Sequence, residues 1–160
     1  QNIIFNSKVS FLMVWLLWSI KESAYKVYVQ QHNERFFNPS KFHCELISKA
    51  EAIVRVNNDK YYTRSQIEDN YIYTTATLKN TKKTTNSCFK IRNASYFNQH
   101  NECYKRLKLA VSKKLCLPIY KIKIKKNSLG VPKLHINNKQ LAVSFSLTHH
   151  GNYGAYSILN

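Results

Sequence analysis

The chain has 160 residues, is 44 % hydrophobic and 13 % aromatic, and holds only three Gly and three Pro. That fits one packed domain and excludes a linker-like or collagenous chain. Twenty-five Lys and Arg against eight Asp and Glu give a formal net charge of +17, a field that draws in polyanions, nucleic acid being the generic inference. The longest apolar run, residues 11–18, is far short of the roughly 20 residues that span a bilayer. It also lacks the small-residue cleavage site of a signal peptide. Cys44, Cys88, Cys103 and Cys116 are scattered, with no C-x-x-C and no paired His spacing. Reduced thiols in a cytoplasm are therefore expected, rather than a zinc site or a disulfide framework.

Residues 11–29 contain neither Gly nor Pro and predict a helix. At about 100° per residue, Leu16, Leu17, Ile20, Ala24 and Val27 share one broad face. Trp15, Trp18, Tyr25 and Val29 cover much of the rest. Ser19, Glu22, Ser23 and Lys26 form the main polar stripe, with Lys21 on a different side. A helix apolar nearly all round is expected to be buried, and a carboxylate on it must be paired or must coordinate something. The structural reading of Glu22 is an (i, i+4) ion pair with Lys26; the functional reading is a site.

Asn38-Pro39 signals a turn, and residues 42–47 read as a strand. A second short strand over 53–56 meets a hairpin turn at Asn57-Asn58-Asp59, and an extended run resumes at Tyr61. Residues 71–78, rich in aromatic and β-branched side chains, predict another strand. Residues 79–92, with a basic and Thr/Asn/Ser bias, read as a surface connection. Asn101 is the expected cap of a second helix running to Leu115, with Tyr104, Leu107, Val111 and Leu115 as its apolar stripe. Residues 120–125 alternate strictly, Tyr120, Ile122 and Ile124 on one face and Lys121, Lys123 and Lys125 on the other, which predicts an amphipathic strand. Residues 129–132 turn it into a strand over 133–136. Residues 141–147 and 153–159 then read as a hairpin around a loop at 148–152. The expected fold class is α+β, a hydrophobic helix packed on a mostly antiparallel sheet.

Two segments carry a resemblance to a known family. Trp18-Ser19-Ile20-Lys21-Glu22-Ser23-Ala24-Tyr25-Lys26 resembles the W-[ST]-x-K-E-[AS]-x-x-K signature of the 4′-phosphopantetheinyl transferase superfamily. Gly130-Val131-Pro132 followed by Ser146-Leu147-Thr148-His149-His150-Gly151, then Tyr153 and Ala155, resembles its G-x-P and S-x-[ST]-H hallmark. Their order is that of the compact holo-acyl-carrier-protein synthase type. Residues 35–42 resemble the stretch that leads from the signature helix into the sheet. The family's N-terminal G-x-D has no match in residues 1–10, so the sequence reads as a single transferase-like domain over 1–160 that lacks that segment.

The resemblance implies a Mg²⁺-dependent transfer of the 4′-phosphopantetheine arm of coenzyme A to a serine of an acidic acyl or peptidyl carrier protein, in a cytoplasm. It makes Glu22 the metal ligand and an aid to deprotonation, and puts Lys21 and Lys26 at the phosphates or the incoming hydroxyl. Ser146, Thr148, His149 and Gly151 then bind the nucleotide half of coenzyme A, with Arg35 a further phosphate contact and Gly130 and Pro132 shaping a turn. One carboxylate suits Mg²⁺, which takes few protein ligands and completes its shell with phosphate oxygens and water. The resemblance also implies a homo-oligomer, a trimer being favoured, and disfavours nucleic acid as a partner; the short apolar run leaves no membrane partner expected. Two other readings stand beside it. One is a non-catalytic basic module for nucleic acid or another polyanion, motivated by the lysine strand and the basic second helix; the other is an inactive, truncated family member.

Overall fold

The computed structural model of the protein describes residues 7–80, 83–92 and 95–159, with side chains from residue 11 onward. The architecture is α+β, and every strand pairing in it is antiparallel. The sequence reads as one domain; within it the contacts gather into two compact units, Gln1–Lys82 and Lys83–Asn160.

The first unit is a long helix, α1 (Ser7–His32), on a four-stranded meander of β1 (His43–Leu46), β2 (Glu51–Val56), β3 (Asp59–Glu68) and β4 (Tyr71–Thr77). Helix α1 ends where Asn33 takes a left-handed conformation (φ 53°) and its amide reaches back to the Val29 carbonyl at 3.0 Å, a turn geometry that Asn tolerates well. One face of α1, with Leu16, Ile20, Ala24 and Tyr28, packs on Phe42, Val54, Val56 and Tyr61 to form the core. The expected burial all round does not hold. Phe11, Val14, Trp15 and Trp18 lie on the side away from that core, Trp15 44 % and Trp18 45 % exposed. A helix lying on one sheet has only one covered side, whatever its composition.

Polar groups fasten the helix to the sheet. Ser19 donates to Thr74 at 2.8 Å, and Thr74 also pairs with Ser65. Gln31 and His32 both reach Asp59, at 3.0 and 2.6 Å, and Tyr61 donates to Gln31. No helix among the described residues is long and apolar enough to cross a membrane.

The second unit holds β5 (Thr84–Lys90), α2 (Tyr96–Leu115), β6 (Ile122–Lys126), β7 (Pro132–Ile136), β8 (Lys139–Gln140), β9 (Phe145–His150) and β10 (Tyr153–Leu159). These make two three-stranded sheets, β5-β10-β9 and β6-β7-β8. Both turn apolar faces to α2: Leu107 and Val111 pack with Ile122, Leu134, Phe145 and Ile158. The pair Asn137-Asn138, with φ 49° and 64°, links β7 to β8 as the tight hairpin turns require.

Four boundaries differ from expectation here. Part of the 79–92 connection is a strand, β5, paired along its whole length with β10; its Thr, Asn and Ser side chains gave no apolar alternation to read. Helix α2 begins at Tyr96 rather than beyond Asn101, because Ser95 caps it by accepting from the Asn98 amide. Tyr120 belongs to a short 3-10 turn, Ile119–Lys121, and stands exposed, so the lysine strand starts at Ile122. Finally β9 starts at Phe145 and continues through His150, leaving only Gly151 and Asn152 as the turn.

Candidate functional site

The residues singled out in the sequence divide between the two units. In the first, Glu22 lies on the side of α1 away from the sheet, about one turn past Trp18. Its carboxylate is 3.1 Å from the Lys26 ammonium, with the Glu22 side chain 41 % exposed. The ion pair of the structural reading is therefore present. It does not exclude the functional one, because such a pair on an open surface is worth at most about 1 kcal/mol and is readily exchanged for a better partner.

Trp18 packs edge-on against Phe37, ring centres 5.7 Å apart, and Phe37 in turn meets Tyr25 at 4.7 Å. An aromatic wall thus flanks the Glu22–Lys26 pair. Lys21 points elsewhere. Its ammonium donates to the Pro39 carbonyl at 2.6 Å, closing the segment after α1 onto the helix, and its charge partly offsets the upward push of burial on the Cys44 thiol. Lys21 is thus a structural tether in this arrangement. Arg35 is exposed and has no hydrogen-bond or ion-pair partner among the described residues.

In the second unit, Ser146, Thr148 and His149 sit on β9 and not in a loop. Alternation along a strand sends neighbours to opposite faces. Phe145, Leu147 and His149 share the side facing α2, where Phe145 and Leu147 enter the core and the His149 ring meets Tyr96 edge-on at 5.6 Å. Ser146 and Thr148 share the other side. There Ser146 lies opposite Ser157, which lies opposite Asn86, and Thr148 lies opposite Ala155. The structure thus joins the two hydroxyls on one polar sheet face and separates them from the imidazole.

The hairpin turn is anchored from α2. Gly151 has φ +53°, a left-handed conformation that Gly adopts at no steric cost, and its carbonyl accepts from the buried Gln99 side chain at 2.7 Å. Cys103 donates weakly to the Thr148 carbonyl at 3.6 Å. A Cβ at Gly154 would meet the Cys103 sulfur at 2.7 Å, so the smallest residue lets the helix approach the sheet. Tyr96, His100 and Tyr104 form an aromatic ladder on α2, the last two rings 4.0 Å apart. Sequence reasoning missed Tyr96 and Gln99 because it began this helix too late; the (i, i+4) spacing of Tyr96, His100 and Tyr104 was the available signal.

No group of three His, Cys, Asp or Glu that could hold a metal ion gathers among the described residues. The fit to Mg²⁺ therefore rests on Glu22 alone, an accessible carboxylate of the kind that ion takes singly. Of residues 1–10, where the sequence has no match to the G-x-D, residues 1–6 lie outside the described residues. In comparisons with known proteins, no family model matches the chain, and neither does a curated protein or a solved structure.

Proposed function

We propose that the protein is a 4′-phosphopantetheinyl transferase of the holo-acyl-carrier-protein synthase kind. It moves the pantetheine arm of coenzyme A onto a serine of an acidic carrier protein. The observation that carries the reading is Glu22: a carboxylate within the W-S-x-K-E-S-x-x-K sequence, open to solvent, beside exposed Trp18 and a lysine at 3.1 Å. A phosphoanhydride centre approached by a hydroxyl calls for a proton acceptor and for positive charge around the phosphates.

In this reading the seryl oxygen bonds to the β-phosphorus of coenzyme A, the bond from that phosphorus to the bridging oxygen breaks, and 3′,5′-ADP departs. The Glu22 carboxylate takes the seryl proton and would also be the residue that holds Mg²⁺. When bound, that ion supplies neutralisation of the charge developing on the diphosphate. Lys26, once released from Glu22, orients the phosphate oxygens as a point charge. The resemblance assigns Ser146 and Thr148 to the nucleotide half of coenzyme A, and within the second unit their hydroxyls share one face of β9, as donors to one ligand would. The resemblance assigns His149 to the same ligand, but its ring lies on the other face of β9, against Tyr96, so it takes no part beside those hydroxyls here; Lys21 acts through the position of the segment after α1. Self-association, a trimer being favoured, and a cytoplasmic setting belong to the same proposal.

The test is incubation of the full-length protein with coenzyme A, Mg²⁺ and several apo carrier proteins, followed by intact-mass measurement. Addition of the arm is expected, with a loss of at least about 100-fold in rate for Glu22→Gln. Because Glu22 is partly exposed and its pair with Lys26 is a surface one, that variant should keep its far-UV circular dichroism and lose no more than about 1 kcal/mol of stability. Undiminished transfer by the Gln variant removes Glu22 from the chemistry. Calorimetric binding of coenzyme A without modification of any carrier would instead identify an inactive family member.

A further inference from the structure

The charge of this protein is unevenly spread. Residues 83–160 contain 14 Lys and Arg but a single acid, Glu102, and Glu102 is held by Arg106 at 2.6 Å. Thirteen of the 17 net positive charges therefore belong to the second unit. Part of that excess is ordered by the β6-β7-β8 sheet. Ile122, Ile124, Leu134 and Ile136 turn toward the α2 core, so alternation sends Lys123, Lys125, Lys133 and His135 to the opposite face. Lys125 stands directly across from Lys133, and Lys123 across from His135. Like charges placed directly opposite on a sheet destabilise it. None of the three lysines has an ion-pair partner among the described residues.

We propose that this lysine face binds the phosphate backbone of a nucleic acid, an activity separate from the transfer reaction. Three features favour nucleic acid over an acidic protein. Protein interfaces are depleted of charge at their centre and use buried apolar anchors, whereas the outward residues of β6 and β7 here are lysines and a histidine. The cations are all lysines, point charges suited to a polyelectrolyte, without the planar fork by which Arg pairs with carboxylates. And Tyr120, 76 % exposed in the turn that leads into β6, offers a ring on which a base can stack. Contacts of this kind are sequence-tolerant and act by releasing counterions.

The experiment is fluorescence anisotropy of the full chain with a labelled mixed-sequence single-stranded oligonucleotide, titrated at several NaCl concentrations. Three phosphate contacts give a log–log salt slope of about −2, or about a 20-fold loss of affinity between 50 and 200 mM. The triple variant Lys123→Gln, Lys125→Gln, Lys133→Gln should lose about two units of the wild-type slope. The matched triple Arg variant keeps the charges and should keep the slope, which preserves the test if the Gln variant folds poorly. A slope that does not change in a folded Gln variant overturns the proposal. So does displacement of the oligonucleotide by polyglutamate at equal charge concentration, since the face would then be a dock for acidic protein. Neither outcome bears on carrier-protein modification, which is read by mass.

Discussion

Cys103 illustrates how position sets the chemistry of a single side chain. It is 1 % exposed, wedged against Gly154, and burial pushes its thiol from the ordinary 9.0 up to about 11, with the Ala155 backbone and Arg106 pulling weakly the other way. A folded-state pKa above the unfolded one means stability that is complete below about pH 9 and is lost as pH rises toward 11. Urea unfolding at pH 8 and at pH 10.5 should show wild type losing more stability over that interval than Cys103→Ala; equal losses would mean that another group governs the alkaline transition. Exposed Cys116, by contrast, should react with iodoacetamide in the native state. Glu22 was legible at this scale in a different way. Its (i, i+4) pairing with Lys26 follows from helical spacing alone. Whether the pair would be buried or open did not, because that depends on which side of α1 the sheet covers.

At the scale of elements, α1 shows the same division. Its existence was evident from an apolar stretch without Gly or Pro, but its all-round hydrophobicity gave no way to choose the inward face. The structure chooses the face of Ile20 and leaves that of Trp18 open. Two substitutions separate the sides. Ile20→Ala, at a position 1 % exposed, should cost about 2–5 kcal/mol. Trp18→Ala removes a half-exposed ring in contact with Phe37 and should cost only about 1–2 kcal/mol. Chemical denaturation of both variants checks this; a greater loss for Trp18 would show that its side of the helix is covered in solution. The strands fared according to their composition. β4 was read nearly to its ends from its aromatic and β-branched side chains, and β6 from its period-two pattern, apart from Tyr120 and Lys121, which fall in the 3-10 turn before it. β5, made of Thr, Asn, Ser, Cys, Phe and Lys, has no such pattern and exists because β10 offers it a partner.

Over the whole molecule, repulsion outweighs attraction between charges. A net charge of +17 on 160 residues, with Lys125 facing Lys133, destabilises the folded chain by self-repulsion. The Lys and Arg ion pairs that form among the described residues are largely exposed and contribute little to offset it. Raising NaCl from 10 to 150 mM shortens the screening length from about 30 to about 8 Å and should raise the melting temperature followed by circular dichroism. A fall would mean that attractive pairs outweigh the lysine field.

The amino-acid order by itself determined the charge excess, the long hydrophobic helix, most strand positions and the two motifs that suggest a transferase. All of these are local: they depend on propensity, on periodicity, or on residues adjacent along the chain. Only the tertiary structure decided that Trp15 and Trp18 are open, that Lys21 ties down the Pro39 turn, and that His149 parts from Ser146 and Thr148. Each of those depends on which face a neighbouring element covers, and that is fixed by packing between residues far apart in sequence.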